Sequence, residues 1–475
     1  MKRSNALLFV GIAAIGACVD APTDPSMMRA GAPSFNVDGT DGLATTGNHI
    51  VVFSSSNKIP ASFGASVAAL GGSVEAAYGK IGVAVVSGLS ADAAGSLQAA
   101  EGVAHVEADL VMQMIDPIAD DVQIEAADET VVDGHNPAAA FFFPRQWHLR
   151  AVGAHTAWAA GVKGSPSVTI AILDTGLDYT HADLAGRVDL SRSKSFVPSD
   201  DAFIVANRPA GTHPIADLHF HGTHVGATVS SNARAAAGVT AHTTLMGVKV
   251  LSRTGSGATS GVLAGIMYAA DAGADVINMS LGVRVPIIKA NFPGISSVYN
   301  RAVNYAHRQG VVVVVSAGNE NQNMDTFGDD LYKPYCTLPQ VVCVSATGPT
   351  SGGTIGPWLN VDNKASYSNY GVNFVTVAAP GGAAGGSVWA ACSRFTTIAS
   401  LQICRTGTFV VGSSGTSMAA PHVSGLAALI VEREGKNQPG VVRNRLHQSA
   451  DDLGIEGADA IYGKGRINVA RGVGL

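Results

Sequence analysis

An α/β domain with a mainly parallel sheet, preceded by a smaller α+β unit, is the architecture this chain of 475 residues predicts. Two observations carry the prediction. From about residue 145 onward, short continuous apolar runs alternate with helical stretches over about 330 residues, as in sheets covered on both faces. Upstream, residues 48–113 read strand, helix, strand, strand, helix, strand, the order of a split βαβ sandwich.

Each element has its own signal. In the small unit, residues 49–53, 74–77, 81–86 and 103–106 are rich in Val and Ile and read as strands. Residues 60–70 and 91–100 have helical composition between them. In the larger unit the apolar runs at 168–173, 245–250, 276–279, 311–315, 341–344 and 374–378 are short and lack polar alternation. Such runs mark strands buried on both faces. Residues 261–272 and 297–308 are helical stretches between them, and 56 glycines suit a fold with many tight turns. No internal repeat is visible. Residues 116–133 hold Asp120, Asp121, Glu125, Asp128 and Glu129 without a Lys or Arg, which reads as a solvated acidic linker.

Near the C-terminus, Gly415-Thr416-Ser417-Met418-Ala419-Ala420-Pro421-His422-Val423 sets a serine at the start of an apolar helix. A serine hydroxyl becomes a useful nucleophile only beside a base and on a fixed backbone. Pro421 suits a first helical turn, where its missing N–H costs nothing. Upstream, the strand at 168–173 ends in Asp174-Thr175-Gly176, at the edge where open α/β sheets build their sites. His221-Gly222-Thr223-His224 then places imidazoles among small residues. The order Asp174, His221, Ser417 is one of the three in which serine hydrolases supply acid, base and nucleophile.

Taken singly, each residue has a plainer reading: a turn aspartate, a packed histidine, a helix-start serine. His221 and His224 lack the intervening glutamate of the H-E-x-x-H zinc pattern, and His224 and His422 read as packed helix residues. Asp-Thr-Gly also fits an aspartic protease, but paired carboxylates need a second copy or a dimer, and the chain has one. A catalytically dead surface protein is the remaining alternative.

Two further motifs extend the pattern: Ile277-Asn278-Met279-Ser280-Leu281-Gly282 and Ser316-Ala317-Gly318-Asn319-Glu320. With these in place, the chain from about Arg145 to its end resembles the subtilisin-like serine proteases, or subtilases. The resemblance implies a three-layer α/β domain with Asp174, His221 and Ser417 as the triad and Asn319 as side-chain donor of the oxyanion hole. It implies a substrate cleft lined by Ser280, Leu281, Gly282, Ala317 and Gly318, with Glu320 at the far end of the first specificity pocket. Small apolar walls imply a broad endopeptidase favouring large apolar side chains, while Glu320 would tolerate a basic one. Residues 48–115 resemble the ferredoxin-like propeptide that assists folding and then inhibits the enzyme by laying its C-terminal end in the cleft. Residues 116–144 would then be the linker where self-processing occurs, and 145–475 the peptidase domain, closed by Tyr462-Gly463-Lys464-Gly465-Arg466.

Catalysis by such a triad requires no cofactor. Asp183, in His181-Ala182-Asp183-Leu184, is similar to a calcium-ligating aspartate of many relatives. The loop at 230–238 is shorter and Ala-rich and lacks their asparagine-bearing ligand segment, so structural calcium stays open at Asp183. Insertions at about 200–214 and 286–294 are expected to shape the cleft rim.

Net charge of −6 with 14% charged residues, and no basic stripe, argues against nucleic-acid binding. Lys2 and Arg3 followed by an apolar stretch from Ala6 to Ile15 read as an export signal, too short to span a membrane. Ile15-Gly16-Ala17-Cys18 resembles a lipobox, which would tether the precursor at Cys18 before a linker at 19–47. The enzyme is therefore expected to be secreted or held at the cell envelope, and monomeric, with peptides, proteins and its own propeptide as partners. The four remaining cysteines allow three pairings, and an oxidising compartment favours the two short loops, Cys336–Cys343 and Cys392–Cys404.

Overall fold

A computed structural model describes residues 43–113, 122–128, 136–282, 287–288, 291–327, 331–332 and 335–475. The export signal, Cys18 and most of the acidic stretch lie outside the described residues. The propeptide-like unit contains strands β1 (Thr45–Phe53), β2 (Ser73–Tyr78), β3 (Val83–Ser87) and β4 (Val103–Gln113) and helices α1 (Phe63–Ala69) and α2 (Ala91–Leu97). A further strand, β5 (Gln123–Ala126), follows within the expected linker.

The larger part contains β6 (Thr169–Asp174), β7 (Lys194–Ser195), β8 (Thr244–Lys249), β9 (Ser256–Ala258), β10 (Val276–Met279), β11 (Ile287–Ile288) and β12 (Val312–Ser316). These are followed by β13 (Leu331–Tyr332), β14 (Val341–Thr347), β15 (Val377–Pro380), β16 (Val388–Ala391) and β17 (Phe409–Ser413). Its helices are α3 (Trp147–Ala151), α4 (Ala154–Ala159), α5 (Pro198–Asn207), α6 (His221–Val229), α7 (Thr259–Asp271) and α8 (Ile295–Arg308), then α9 (Thr416–Glu434), α10 (Pro439–Ser449) and α11 (Val469–Gly472).

The central sheet has seven strands in the order β15-β14-β12-β10-β6-β8-β7, all paired in parallel. Its strands are apolar on both faces because both faces are covered. Ile170, Ile172, Val312 and Val314 pack with α6 and α9 residues such as Val225, Val423 and Leu426. Ala171, Leu173, Val313 and Val315 pack with α7 and α8 residues such as Val262, Ile266 and Val298. Three layers result, as expected. From β6 the chain steps one way to β8 and then returns past β6 to β10, so β6 and β10 flank a topological switch point. Ligand sites in open α/β sheets form outside the carboxyl ends of strands at such a point.

The small unit is an antiparallel sheet in the order β2-β3-β1-β4, which is the predicted split βαβ arrangement. Its last strand runs seven residues beyond the predicted end at 106, to Gln113, because its far half is paired and buried against the larger α/β part. There β4 pairs with β9, Met112 opposite Gly257, and Gln113 bridges antiparallel to Gly282. Leu110 and Met112 are buried in the same core cluster as α7 and α8. Two carboxylates of β4 serve those helices. Ala258 precedes α7 and cannot cap it, and the Asp109 carboxylate accepts instead from Ser260 N–H at 2.9 Å and Ser260 Oγ at 2.7 Å. Glu107 accepts from the backbone N–H of Gly294 before α8. Burial pushes both carboxyls above their ordinary range. Arg301 of α8 donates to the carbonyl of Phe53 at 2.9 Å, and Lys80 pairs with Asp271 at the end of α7 at 3.0 Å.

Two sequence expectations change here. Within residues 116–133, the segment 123–126 is strand β5, paired antiparallel with β17, and Glu125 meets Arg145 in an ion pair. The α/β body also begins before residue 145, since buried Phe142 packs on Trp389 with ring centroids 5.6 Å apart.

Candidate active site

Asp174, Ser280 and Asn319 stand just at or beyond the carboxyl ends of three adjacent strands, β6, β10 and β12. His221 opens α6 and Ser417 lies in the first turn of α9, and these two helices pack side by side under the sheet. Asp174, His221 and Ser417 are all fully buried. His221 Nδ1 lies 2.7 Å from Asp174 Oδ1, which also accepts Thr175 N–H at 2.7 Å. His221 Nε2 is buried and has no hydrogen-bond partner among the described residues. Asp174 thus engages an imidazole rather than a second carboxylate, which removes the geometric basis of the aspartic alternative.

Close backbone approach brings the histidine to the aspartate. A Cβ on Gly222 would lie 2.1 Å from the Gly176 carbonyl oxygen, so only glycine lets α6 touch the loop after β6. Asp217, which the sequence reading passed over, locks the same contact. It accepts from Thr175 Oγ1 at 2.9 Å, Thr223 N at 2.9 Å and Thr223 Oγ1 at 2.7 Å. Its position four residues ahead of His221 was the only local signal, since one of its hydroxyl partners, Thr175, lies 42 residues away.

Asn319 is held by its carbonyl oxygen, which accepts from Thr416 N–H at 2.9 Å and Thr416 Oγ1 at 2.8 Å. That arrangement turns its amide nitrogen toward Gly415, whose hypothetical Cβ would lie 3.1 Å away. The Asn319 side-chain N–H₂ and the backbone at Ser417 therefore belong to one small region.

Pro421 sits in the second turn of α9, not the first, because the helix already begins at Thr416. Its missing N–H leaves the Ser417 carbonyl without its helical partner. Ser280 Oγ donates to that carbonyl at 2.9 Å, and Ser417 Oγ donates to Ser280 O at 3.3 Å. Of the residues expected to line a cleft, Leu281 is buried in the core cluster that includes α7 and α8 residues. Asn369 Nδ2 donates to Ala317 O at 2.9 Å and Glu320 at 2.6 Å, tying the wall Ala317-Gly318 to the Glu320 carboxylate.

His224 and His422 are packed helix residues, as read from sequence. His422 bridges His148 at 2.8 Å and the Met418 carbonyl at 2.8 Å, and His224 meets the Val388 carbonyl at 3.0 Å. Burial pulls His224 down to about 3 and His422 to about 4. Beside Asp174, the paired residue of β8 is Lys249, whose buried ammonium bonds the Thr175 carbonyl and pairs with Asp200 of α5 at 2.9 Å. The insertion at 200–214 thus reaches into the support of the acid loop as well as the surface.

Asp183 does other work than the sequence suggested. Its carboxylate accepts three backbone N–H groups, from Arg234 and Ala235 at 2.8 Å and from Ala236 at 3.0 Å. N–H donors fill the positions a cation would take, and the donor set does not fit calcium. Among the described residues no group of three His, Cys, Asp or Glu side chains could hold a metal ion. Both expected disulfides are present, Cys336–Cys343 joining the loop before β14 to that strand and Cys392–Cys404 closing the turn between β16 and β17.

The model of the subtilase family matches residues 165–465. The chain belongs to the subtilase family. A thermophilic serine proteinase of Bacillus sp. (strain AK1) is 37% identical over 309 residues, 64% of this chain and 61% of that protein. The chain thus spans less than two thirds of that relative's length. Thermitase of Thermoactinomyces vulgaris is 33% identical over 71% of this chain and 99% of its own length. Among solved structures, the epidermin leader peptide processing serine protease of Staphylococcus aureus aligns over 90% of this chain and 98% of its own, with a TM-score of 0.69 at 21% identity. Fervidolysin from Fervidobacterium pennivorans aligns over 92% of this chain and 62% of its own, with a TM-score of 0.68 at 23% identity. Those two likenesses concern the fold. As a subtilase, the chain is a serine-type endopeptidase with the three-layer architecture described above.

Proposed function

We propose that this subtilase is an exported, self-processing endopeptidase working through Asp174, His221 and Ser417. The observation that carries the reading is the 2.7 Å bond between Asp174 and His221 Nδ1, which leaves Nε2 as the only nitrogen of that ring able to take a proton. His221 takes the Ser417 proton as the oxygen attacks a peptide carbonyl, then returns it to the leaving amine. Asp174 holds the tautomer and stabilises the imidazolium. The oxyanion is met by the Asn319 amide and the Ser417 backbone N–H, and water then hydrolyses the acyl-enzyme.

Residues 43–113 act as an intramolecular inhibitor. Support comes from β4, which enters between β9 and Gly282 as an added antiparallel strand, a mode in which backbone bonds give affinity and pockets read alternate side chains. Met112, buried in that strand, suits a cleft that favours large apolar residues over a broad range. Among the described residues no helix is long and apolar enough to cross a membrane, and export rests on the N-terminal signal motif. A phosphonofluoridate should label Ser417 of the processed enzyme, and casein hydrolysis should vanish in Ser417→Ala. Equal hydrolysis by wild type and Ser417→Ala would overturn the assignment.

A further inference from the structure

We propose that the precursor cuts its own Ile115–Asp116 bond and that strand β5 stays on the protease afterwards; this rests on the self-processing reading above. Two anchors bracket the cut. On one side Gln113 bridges antiparallel to Gly282, in register with Met112 opposite Gly257. In an antiparallel pair each step forward on one strand is a step back on the other, so a substrate chain held in this register meets Ser280 with its second residue beyond Gln113. That residue is Ile115. Ser280 is also the residue whose carbonyl accepts the Ser417 hydroxyl at 3.3 Å, so a chain continuing in this register would offer the carbonyl of the residue opposite Ser280 to the nucleophile.

On the other side, Gln123 pairs with Gly412 and Ala126 with Phe409. Val122 and Ile124 pack against Phe220, Val411 and the Cys392–Cys404 pair, immediately before His221. Gly412 is five residues ahead of Ser417, an extended reach of at most about 18 Å, and the eight residues from 115 to 123 span up to about 28 Å. Both anchors can hold at once while the bond sits at the nucleophile. Cleavage forms a Ser417 Oγ–C bond to Ile115 and breaks the C–N bond to Asp116. The serine proton passes through His221 to the new amine, and water releases the Ile115 carboxylate. The protease then starts at Asp116, and residues 116–122 lead into a strand that remains hydrogen-bonded to β17.

The test is a time course of the purified full-length precursor refolding from denaturant, read by intact mass and N-terminal sequencing of the earliest products. The first fragments should end at Ile115 and begin at Asp116, and Ile115→Glu should slow the first cut at least tenfold. A first cut at any other bond, loss of residues 123–126 with the propeptide, or an unchanged rate in Ile115→Glu would each overturn the inference. A wild-type precursor that does not cut itself, or a Ser417→Ala precursor that is cut equally fast, would instead remove the self-processing reading beneath it.

Discussion

The Ser280 hydroxyl donates to the Ser417 carbonyl at 2.9 Å, making the bond that Pro421 cannot make. The proline keeps the Ser417 carbonyl out of the helical ladder, and a residue at the end of a neighbouring strand takes it up. The first turn of α9 is thereby fastened to the substrate cleft rather than to its own second turn.

Ser280→Ala should strand a buried carbonyl and cost about 1–3 kcal/mol of stability. The kcat should fall about tenfold as the Ser417 backbone loosens, a loss of ~1.4 kcal/mol in transition-state binding. Pro421→Ala restores an i→i−4 donor, so the double variant should recover most of the lost stability. Strictly additive effects in that cycle, measured by urea melts in a Ser417→Ala background, would remove the coupling.

Asn319→Ala should lower kcat by about 10²–10³ with little change in KM, a magnitude carried over from the equivalent oxyanion donor of subtilisin. Because Asn319 also holds Thr416 through two bonds, a melt should accompany the kinetics. A KM-only effect would mean that the amide does not meet the oxyanion.

Asp109→Ala removes the cap that β4 supplies to α7, where Ala258 offers none. Lost caps cost about 1 kcal/mol, so the latent complex formed after processing should dissociate roughly five- to tenfold faster. The readout is a shorter lag before casein hydrolysis. An unchanged lag would show that the apolar contacts of Leu110 and Met112 alone set the dissociation rate.

The buried histidines make the fold sensitive to acid. The folded-state values of His224 and His422, about 3 and about 4, lie below an unfolded value near 6.5. The unfolded chain therefore binds more protons below pH 6.5, and the stability present above it is lost as pH falls toward the folded values. At pH 5 each histidine should cost about 2 kcal/mol. In the inactive Ser417→Ala chain, urea midpoints at pH 7 and pH 5 should differ less once His422→Gln is introduced. Identical pH dependence with and without that change would count against the imidazole as the source.

Much of the site was legible before any coordinate because its chemistry needs particular residues in short runs. Asp174 at a strand end, His221 among small residues and Ser417 ahead of an apolar helix are local signals, and Asn319 follows its own strand by three residues. The apolar runs likewise announced strands covered on both faces, and the packing of Ile172 on one face and Leu173 on the other is what such a run means. Pro421 was misjudged for a local reason: the run is helical from Thr416, and nothing nearby in sequence says where its first turn begins.

By itself the sequence determined the class of fold, the residues proposed as acid, base and nucleophile, and the short cysteine loops, since each depends on residue type and near spacing. Only the tertiary structure decided which groups stand next to them across long separations. Asp183 answers to three amides some fifty residues away, Ser280 answers to a carbonyl 137 residues away, and Gln123–Ala126 becomes a strand because β17 offers it an unpaired edge. Hydrogen-bond donors and acceptors must be satisfied wherever the chain is buried, and which partner satisfies them is settled by packing that no local pattern encodes.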